Sequence, residues 1–228
     1  MNVAQDNDDR NDRDAQSFSI AIVDNDAIAL YALRKLIEST DAMRIIWTAG
    51  TGREALTRCL EDDAAPDVLL VDMALSDMPG TLLCRRLRAN GPSPKILAFT
   101  SYPLDAYAAD AAEAGAQGII SKDDFTMLAK ALAVIHDGGV MPTNVHFETA
   151  ETAFKRIRNM PPDPMSTLTF NEMRALDLAS QGLSSKEVAK QIGVTPVTVR
   201  TYTMHARSKL GARTLGEALV KWHRAKHA

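Results

Sequence analysis

The sequence predicts two folded units. The first is a doubly wound α/β unit on a five-stranded parallel sheet, and the second is a small all-α unit of four helices. Three observations predict this. Short apolar runs alternate five times with helix-patterned stretches between residues 19 and 136. Residues 138–165 then break the rhythm, with two glycines at the start and three prolines near the end. From residue 166 the spacing is helical and no strand pattern recurs.

The elements follow in order. Residues 1–17 are rich in Asp and Asn with few apolar groups, which predicts a disordered acidic tail. SIAIV (19–23) is the first apolar run, and DAIALYALRKLIE (26–38) follows with helical spacing. MRIIWT (43–48) precedes GREALTRCLE (52–61), VLLVD (68–72) precedes GTLLCRRLRA (80–89), and KILAFT (95–100) precedes LDAYAADAAEAG (104–115). GIIS (118–121) and DFTMLAKALAVIH (124–136) close the series. The strands are apolar without strict alternation, as expected where helices cover both faces of a parallel sheet. These pairs place the first unit at 18–137. Residues 138–165 read as a linker with room for a short helix near 149–158.

In the second unit, 166–228, Thr169-Phe170-Asn171-Glu172 fits a capping box, and its helix runs to about Ser180 before Gly182. Ser184 or Ser185 caps the next helix, which ends at Gly193. Thr195 caps a third, with Pro196 in the first turn where a missing N–H costs nothing. Thr214 caps the last, to about Lys226. Two short helices meeting at Ile192-Gly193-Val194 are the signature of a helix-turn-helix.

Composition narrows the function. The hydrophobic content of 46% supports packed cores. No window holds eighteen uninterrupted apolar residues, and the polar, acidic N-terminus lacks a signal-peptide pattern, so no membrane contact and a cytoplasmic location are expected. Cys59 and Cys84 read as small buried apolar residues rather than a disulfide or metal site. Residues 166–228 carry ten Lys and Arg against four Asp and Glu, or +6, whereas 1–165 carry sixteen against twenty-five, or −9. The basic part is therefore the one expected to meet a polyanion.

Ligands of open α/β sheets bind beyond the carboxyl ends of the strands. The sequence puts Asp24, Asn25 and Asp26 after the first strand, Asp72 at the end of the third, Thr100 and Ser101 at the fourth, and Ser121 and Lys122 at the fifth. Such oxygen donors suit Mg²⁺. A carboxylate beside that ion can act as a nucleophile toward phosphorus, with a lysine and a hydroxyl on the phosphoryl oxygens.

Residues 18–137 resemble the receiver domain of bacterial two-component response regulators, through IVDN (22–25), LLVDMALSDMPG (69–80), ILAFTS (96–101) and GIISKD (118–123). The resemblance implies a flavodoxin-like fold and Asp72 as phospho-acceptor, charged from a phosphohistidine on a sensor histidine kinase. It implies Mg²⁺ on Asp24, Asn25, Asp72 and the carbonyl of Ala74, with Thr100 and Lys122 contacting the phosphoryl group. Three positions depart from the family pattern. Asn25 stands where a second acid is usual, which implies weaker Mg²⁺ binding. Ser76 stands where a proline is usual, and Ile119 where an aromatic switch residue is common.

The run LTFNEMRALDLASQGLSSKEVAKQIGVTPVTVRTYTMHARSKLGA (168–212) resembles the LuxR/FixJ (NarL-like) helix-turn-helix. It implies that the third helix enters the DNA major groove. Arg200, Thr201 and Met204 would then meet base edges or adjacent phosphates, Met204 through apolar contact such as a thymine methyl. Lys186, Thr195, Thr198 and Lys209 are candidates for phosphate contacts, together with helix N-termini. The last helix puts Leu215, Ala218, Leu219 and Trp222 on one face, and in the family this helix can pair two such domains. The alternative is that this helix only packs on its own domain, with Trp222 serving either reading; two-fold pairing would imply a homodimer on an inverted-repeat operator, with RNA polymerase as a further candidate partner.

The resulting expectation is a DNA-binding response regulator controlled at Asp72, not an enzyme. One rival is an atypical regulator that binds DNA without phosphorylation, favoured by Asn25, Ser76 and Ile119. The other is a Mg²⁺-dependent phosphohydrolase with Asp72 as nucleophile.

Overall fold

The computed structural model describes residues 17–61 and 65–227. The acidic tail lies, but for Ser17, outside the described residues. Five parallel strands, β1 (Phe18–Val23), β2 (Met43–Ala49), β3 (Val68–Asp72), β4 (Lys95–Thr100) and β5 (Gly118–Ser121), form one sheet in the order β2-β1-β3-β4-β5. Helices α1 (Ala27–Ile37), α2 (Gly52–Cys59), α3 (Gly80–Asn90), α4 (Leu104–Glu113) and α5 (Phe125–His136) connect and follow them. This is the doubly wound order with a switch point between β1 and β3.

The strand sequences explain the two layers. Ile20, Ile22, Val68, Leu70, Leu97, Phe99 and Ile120 point to one face and pack on Leu33, Ile37, Leu128 and Leu132 of α1 and α5. Their neighbours Ala21, Val23, Leu69, Val71, Ile96, Ala98 and Ile119 point to the other and pack with α2, α3 and α4. A period of two is present, but both phases are apolar because both faces are buried. Cys59 and Cys84 are free thiols in the second layer, and burial pushes both up to about 12.

The stretch 138–165 is fastened to the sheet unit. Helix α6 (Ala150–Asn159), capped by Thr149, buries Ala150, Ala153 and Ile157. Arg156 pairs with Glu148 at 2.7 Å and donates to the carbonyls of Ala112 and Glu113 at the end of α4, both 3.2 Å. Both carbonyls belong to the last turn of α4, where i+4 partners run out; Ala112 also accepts from the Gly115 amide at 3.0 Å.

A 3₁₀ turn (Pro164–Thr167) then leads to α7 (Phe170–Ser180), α8 (Ser185–Ile192), α9 (Pro196–Lys209) and α10 (Leu215–His227). Capping boxes open α7 at Thr169/Glu172 and α8 at Ser184/Glu187. Gly193 ends α8 in the left-handed region, φ 79°, which makes the tight turn into α9. Val188, Ala189 and Val199, with Ile192 and Val194 against them, form a small core between α8 and α9. Leu176, Ala206, Leu210, Ala218 and Trp222 instead join the layer formed by α2, α3 and α4, so one apolar cluster runs through both units.

Candidate functional site

The rim residues come together where the strand order reverses. Asp24 follows β1, Asp72 ends the adjacent β3, and both are buried, at 0% and 3% exposure. Lys122, just after β5, reaches across: its Nζ lies 2.8 Å from Asp24 Oδ2 and 3.2 Å from Asp72 Oδ2. Its ammonium also sits 4.8 Å from the centre of the Phe99 ring. Asp24 Oδ1 accepts from the Asp26 amide at 2.8 Å, and Asp72 Oδ1 from the Ala74 amide at 3.3 Å. Thr100 is fully buried, and its hydroxyl accepts from the Tyr102 amide at 3.1 Å. Asn25 stands exposed beside Asp24, while Asp26 caps α1 by accepting from Ile28 and Ala29.

The shape of this rim depends on Gly80. A Cβ there would lie 2.2 Å from the Asp72 carbonyl oxygen and 2.7 Å from Met73 Cα. The Gly80 amide donates to the Met73 carbonyl at 3.0 Å, folding the loop back beneath the carboxylate. Asp77 fixes the same loop to α2 by accepting from the Gly52 and Arg53 amides, both 2.9 Å.

The electrostatics leave one negative charge over. Burial raises the Asp72 carboxyl, Lys122 opposes that, and Asp24 adds to it. Two buried carboxylates thus share one ammonium. Their donor atoms are hard oxygens, which is the chemistry that suits Mg²⁺. Charge count and donor type therefore both fit a divalent cation.

In the helical unit, the outer face of α9 is open. Arg200 and Met204 are exposed, as is Lys186 on α8. Thr195 caps α9 by accepting from the Thr198 amide at 3.2 Å, and the two hydroxyls lie 2.8 Å apart. The Thr201 hydroxyl donates to the Val197 carbonyl at 3.2 Å. Lys209 is turned inward, 2.7 Å from Glu172 Oε2 and 3.0 Å from the Thr167 carbonyl oxygen. Here it ties α9 to the start of α7 instead of extending outward. Val197, 62% exposed, shares the outer face with Arg200, Thr201 and Met204. Sequence reasoning passed over it, although the spacing 197, 200, 201, 204 marks one helix face.

On α10 the apolar set divides. Ala218 and Trp222 are fully buried in the apolar cluster shared by both units and Leu219 packs against it, whereas Leu215 is 40% exposed.

Comparison with known proteins agrees with this organisation. Residues 20–133 match the response regulator receiver domain, and 166–222 the bacterial regulatory proteins of the luxR family. The DNA-binding transcriptional activator DevR/DosR of Mycobacterium tuberculosis is 31% identical over 204 residues, covering 88% of this chain and 92% of that protein. The transcriptional regulatory protein LnrK of Bacillus subtilis is 29% identical over 209 residues, covering 88% and 94%. A Salmonella typhimurium RcsB response regulator structure superimposes with a TM-score of 0.51 at 21% identity, covering 92% of this chain and 99% of that one, and so shares the fold. The family consists of regulators rather than enzymes, which sets the phosphohydrolase reading aside. With both domains matched in this order and the relatives spanning most of the chain, the protein belongs to the LuxR family of response regulators, transcription regulators that bind DNA.

Proposed function

We propose that phosphorylation of Asp72 by a sensor histidine kinase switches the protein's DNA binding. The observation that carries this reading is the buried Asp24–Asp72 pair bridged by Lys122 beside the Thr100 hydroxyl. An Asp72 oxygen attacks the phosphorus of a phosphohistidine. The P–N bond breaks, its electron pair returns to the imidazole, and that nitrogen takes up a proton. Lys122 exchanges its carboxylate partners for a phosphoryl oxygen, and Thr100 offers its hydroxyl to another. Asp24, Asn25, Asp72 and the Ala74 carbonyl are the groups that would hold Mg²⁺. When bound, the ion supplies charge neutralisation at the phosphoryl oxygens. Asn25 contributes one neutral oxygen, so the affinity is expected to be low for a receiver.

Downstream, α9 enters the major groove. Arg200, Thr201 and Met204 face bases, and Lys186, Thr195 and Thr198 face phosphates, with Lys209 joining them only by leaving Glu172. Leu215, left 40% exposed at the start of α10, is the apolar group of that helix's inner set open to a second copy, and pairing there leads to a homodimer on an inverted repeat. The setting is the cytoplasm, with RNA polymerase as the further partner. Among the described residues no helix is long and apolar enough to cross a membrane.

The test is acetyl phosphate or beryllofluoride with Mg²⁺, followed by intact mass, sizing and operator binding, with Asp72→Ala alongside. One phosphoryl group from acetyl phosphate, with tighter dimers and DNA binding from either reagent, is expected, and Asp72→Ala should abolish all three responses. The second reading, control without phosphorylation, rests on Asn25, Ser76 and Ile119. It predicts no modification and normal operator binding by Asp72→Ala.

A further inference from the structure

Val197 and Met204 are among the exposed large apolar side chains of this protein, at 62% and 51%. A single such residue on a surface needs no explanation. These two sit seven positions apart on one helix, two turns along the same face, with Arg200 and Thr201 between them. The Thr201 hydroxyl donates its proton to the Val197 carbonyl at 3.2 Å, which leaves it only acceptor capacity toward a base edge. From Val197 to Met204 this face of α9 thus has an apolar side chain at either end of the stretch and the Arg200 guanidinium between them, and the exposed Arg207 and Ser208 continue it beyond Met204.

In the major groove the purine and cytosine edges offer donors and acceptors, and the apolar feature is the C5 methyl of thymine. A valine or methionine laid over a cytosine amino group or a guanine carbonyl removes water without returning a hydrogen bond. Laid over a thymine methyl, it buries apolar surface on both sides. At 1.5 Å per residue, seven positions span about 10 Å, and because a recognition helix follows the inclined groove, with residues three or four apart meeting successive base pairs, this is roughly two base-pair steps.

We propose that Val197 and Met204 are specificity determinants that each read a thymine methyl, on either side of a base pair contacted by Arg200. The half-site this predicts carries two thymines, on either strand, separated by about two base-pair steps, with a guanine between them. The inference rests on the reading of α9 as the groove-binding helix.

The experiment separates the two levels. Sites are selected from a random duplex library with the full-length protein, both untreated and treated with beryllofluoride and Mg²⁺, and each thymine of the selected half-site is then replaced singly by uracil, which lacks only the methyl. The expected result is a loss of threefold or more in affinity at two positions and little change at the others. In Val197→Ala the uracil penalty should vanish at one of those positions, and in Met204→Ala at the other. Both side chains are exposed, so both variants should fold, and circular dichroism checks that. A scan in which every uracil changes affinity by less than twofold overturns the proposal, with the groove-binding reading left standing. Penalties that persist in both variants overturn it equally. Failure to select any specific site overturns the groove-binding reading, and this inference falls with it.

Discussion

Asp72 is placed at a cost to the fold. Its carboxylate and that of Asp24 are buried, with Lys122 as the shared counter-charge, and burial raises Asp72. Like charges brought close destabilise each other unless a cation intervenes. Asp72→Asn removes one of them and keeps the shape. We expect it to stabilise the receiver in metal-free buffer by about 1 kcal/mol, roughly 4 °C in thermal midpoint. It should also reduce the stabilisation that added Mg²⁺ gives to the wild type. A variant that melts lower than wild type without metal would mean that Lys122 already balances the pair. The residues of this rim could be named from the sequence because each stands at the carboxyl end of an apolar run. Asp77 could not be, because it caps α2 from 25 residues away and no local pattern announces such a contact.

At the scale of elements, the strands were the most legible part. VLLVD, KILAFT and GIIS coincide with β3, β4 and β5, because short apolar runs bounded by loop residues leave little choice of end. Helix starts were legible where a cap exists, as at Thr169, Ser184 and Thr195. Contacts between elements were not, and Glu172 is the clearest case. Its sequence position marks it as half of a capping box, yet it also receives the Lys209 ammonium and so joins α7 to α9. Burial pushes its carboxyl up, but the bonds from Lys209 and Thr169 outweigh this and hold it below the usual glutamate value of 4.5. A carboxylate with a lowered folded value contributes stability that is present above its unfolded value and lost as pH falls through the folded one. Glu172→Gln should therefore cost the helical unit about 1–2 kcal/mol at neutral pH. The difference from wild type should shrink below about pH 4.5, as seen in urea melts across pH. A constant difference from pH 7 to pH 3 would assign the loss to shape rather than charge.

Across the whole molecule, the loop that follows Asp72 touches the DNA-binding domain. Lys226 of α10 donates to the Ser76 carbonyl at 3.0 Å and pairs with Asp177 of α7. Phe170 at the start of α7 lies beneath two receiver guanidiniums, Arg53 at 4.9 Å and Arg86 at 5.5 Å, and Arg86 also donates to the Leu168 carbonyl. The shared apolar layer continues behind these contacts. None of this is written in local periodicity, since it joins residues up to 150 positions apart. It does yield a measurable expectation. Cys59 and Cys84 are buried with thiols pushed up to about 12, so they should react slowly. Ser76→Cys with Lys226→Cys then supplies the reactive pair, and a short bis-maleimide should join them within one chain. Phe170→Ala removes the aromatic anchor and should slow that cross-link severalfold while the receiver's own unfolding free energy stays within about 1 kcal/mol. If beryllofluoride with Mg²⁺ also slows it, and Asp72→Ala abolishes that response, the loop carries the modification state directly to α10. An equal rate in all states would mean that the contact holds the domains together without reporting on Asp72.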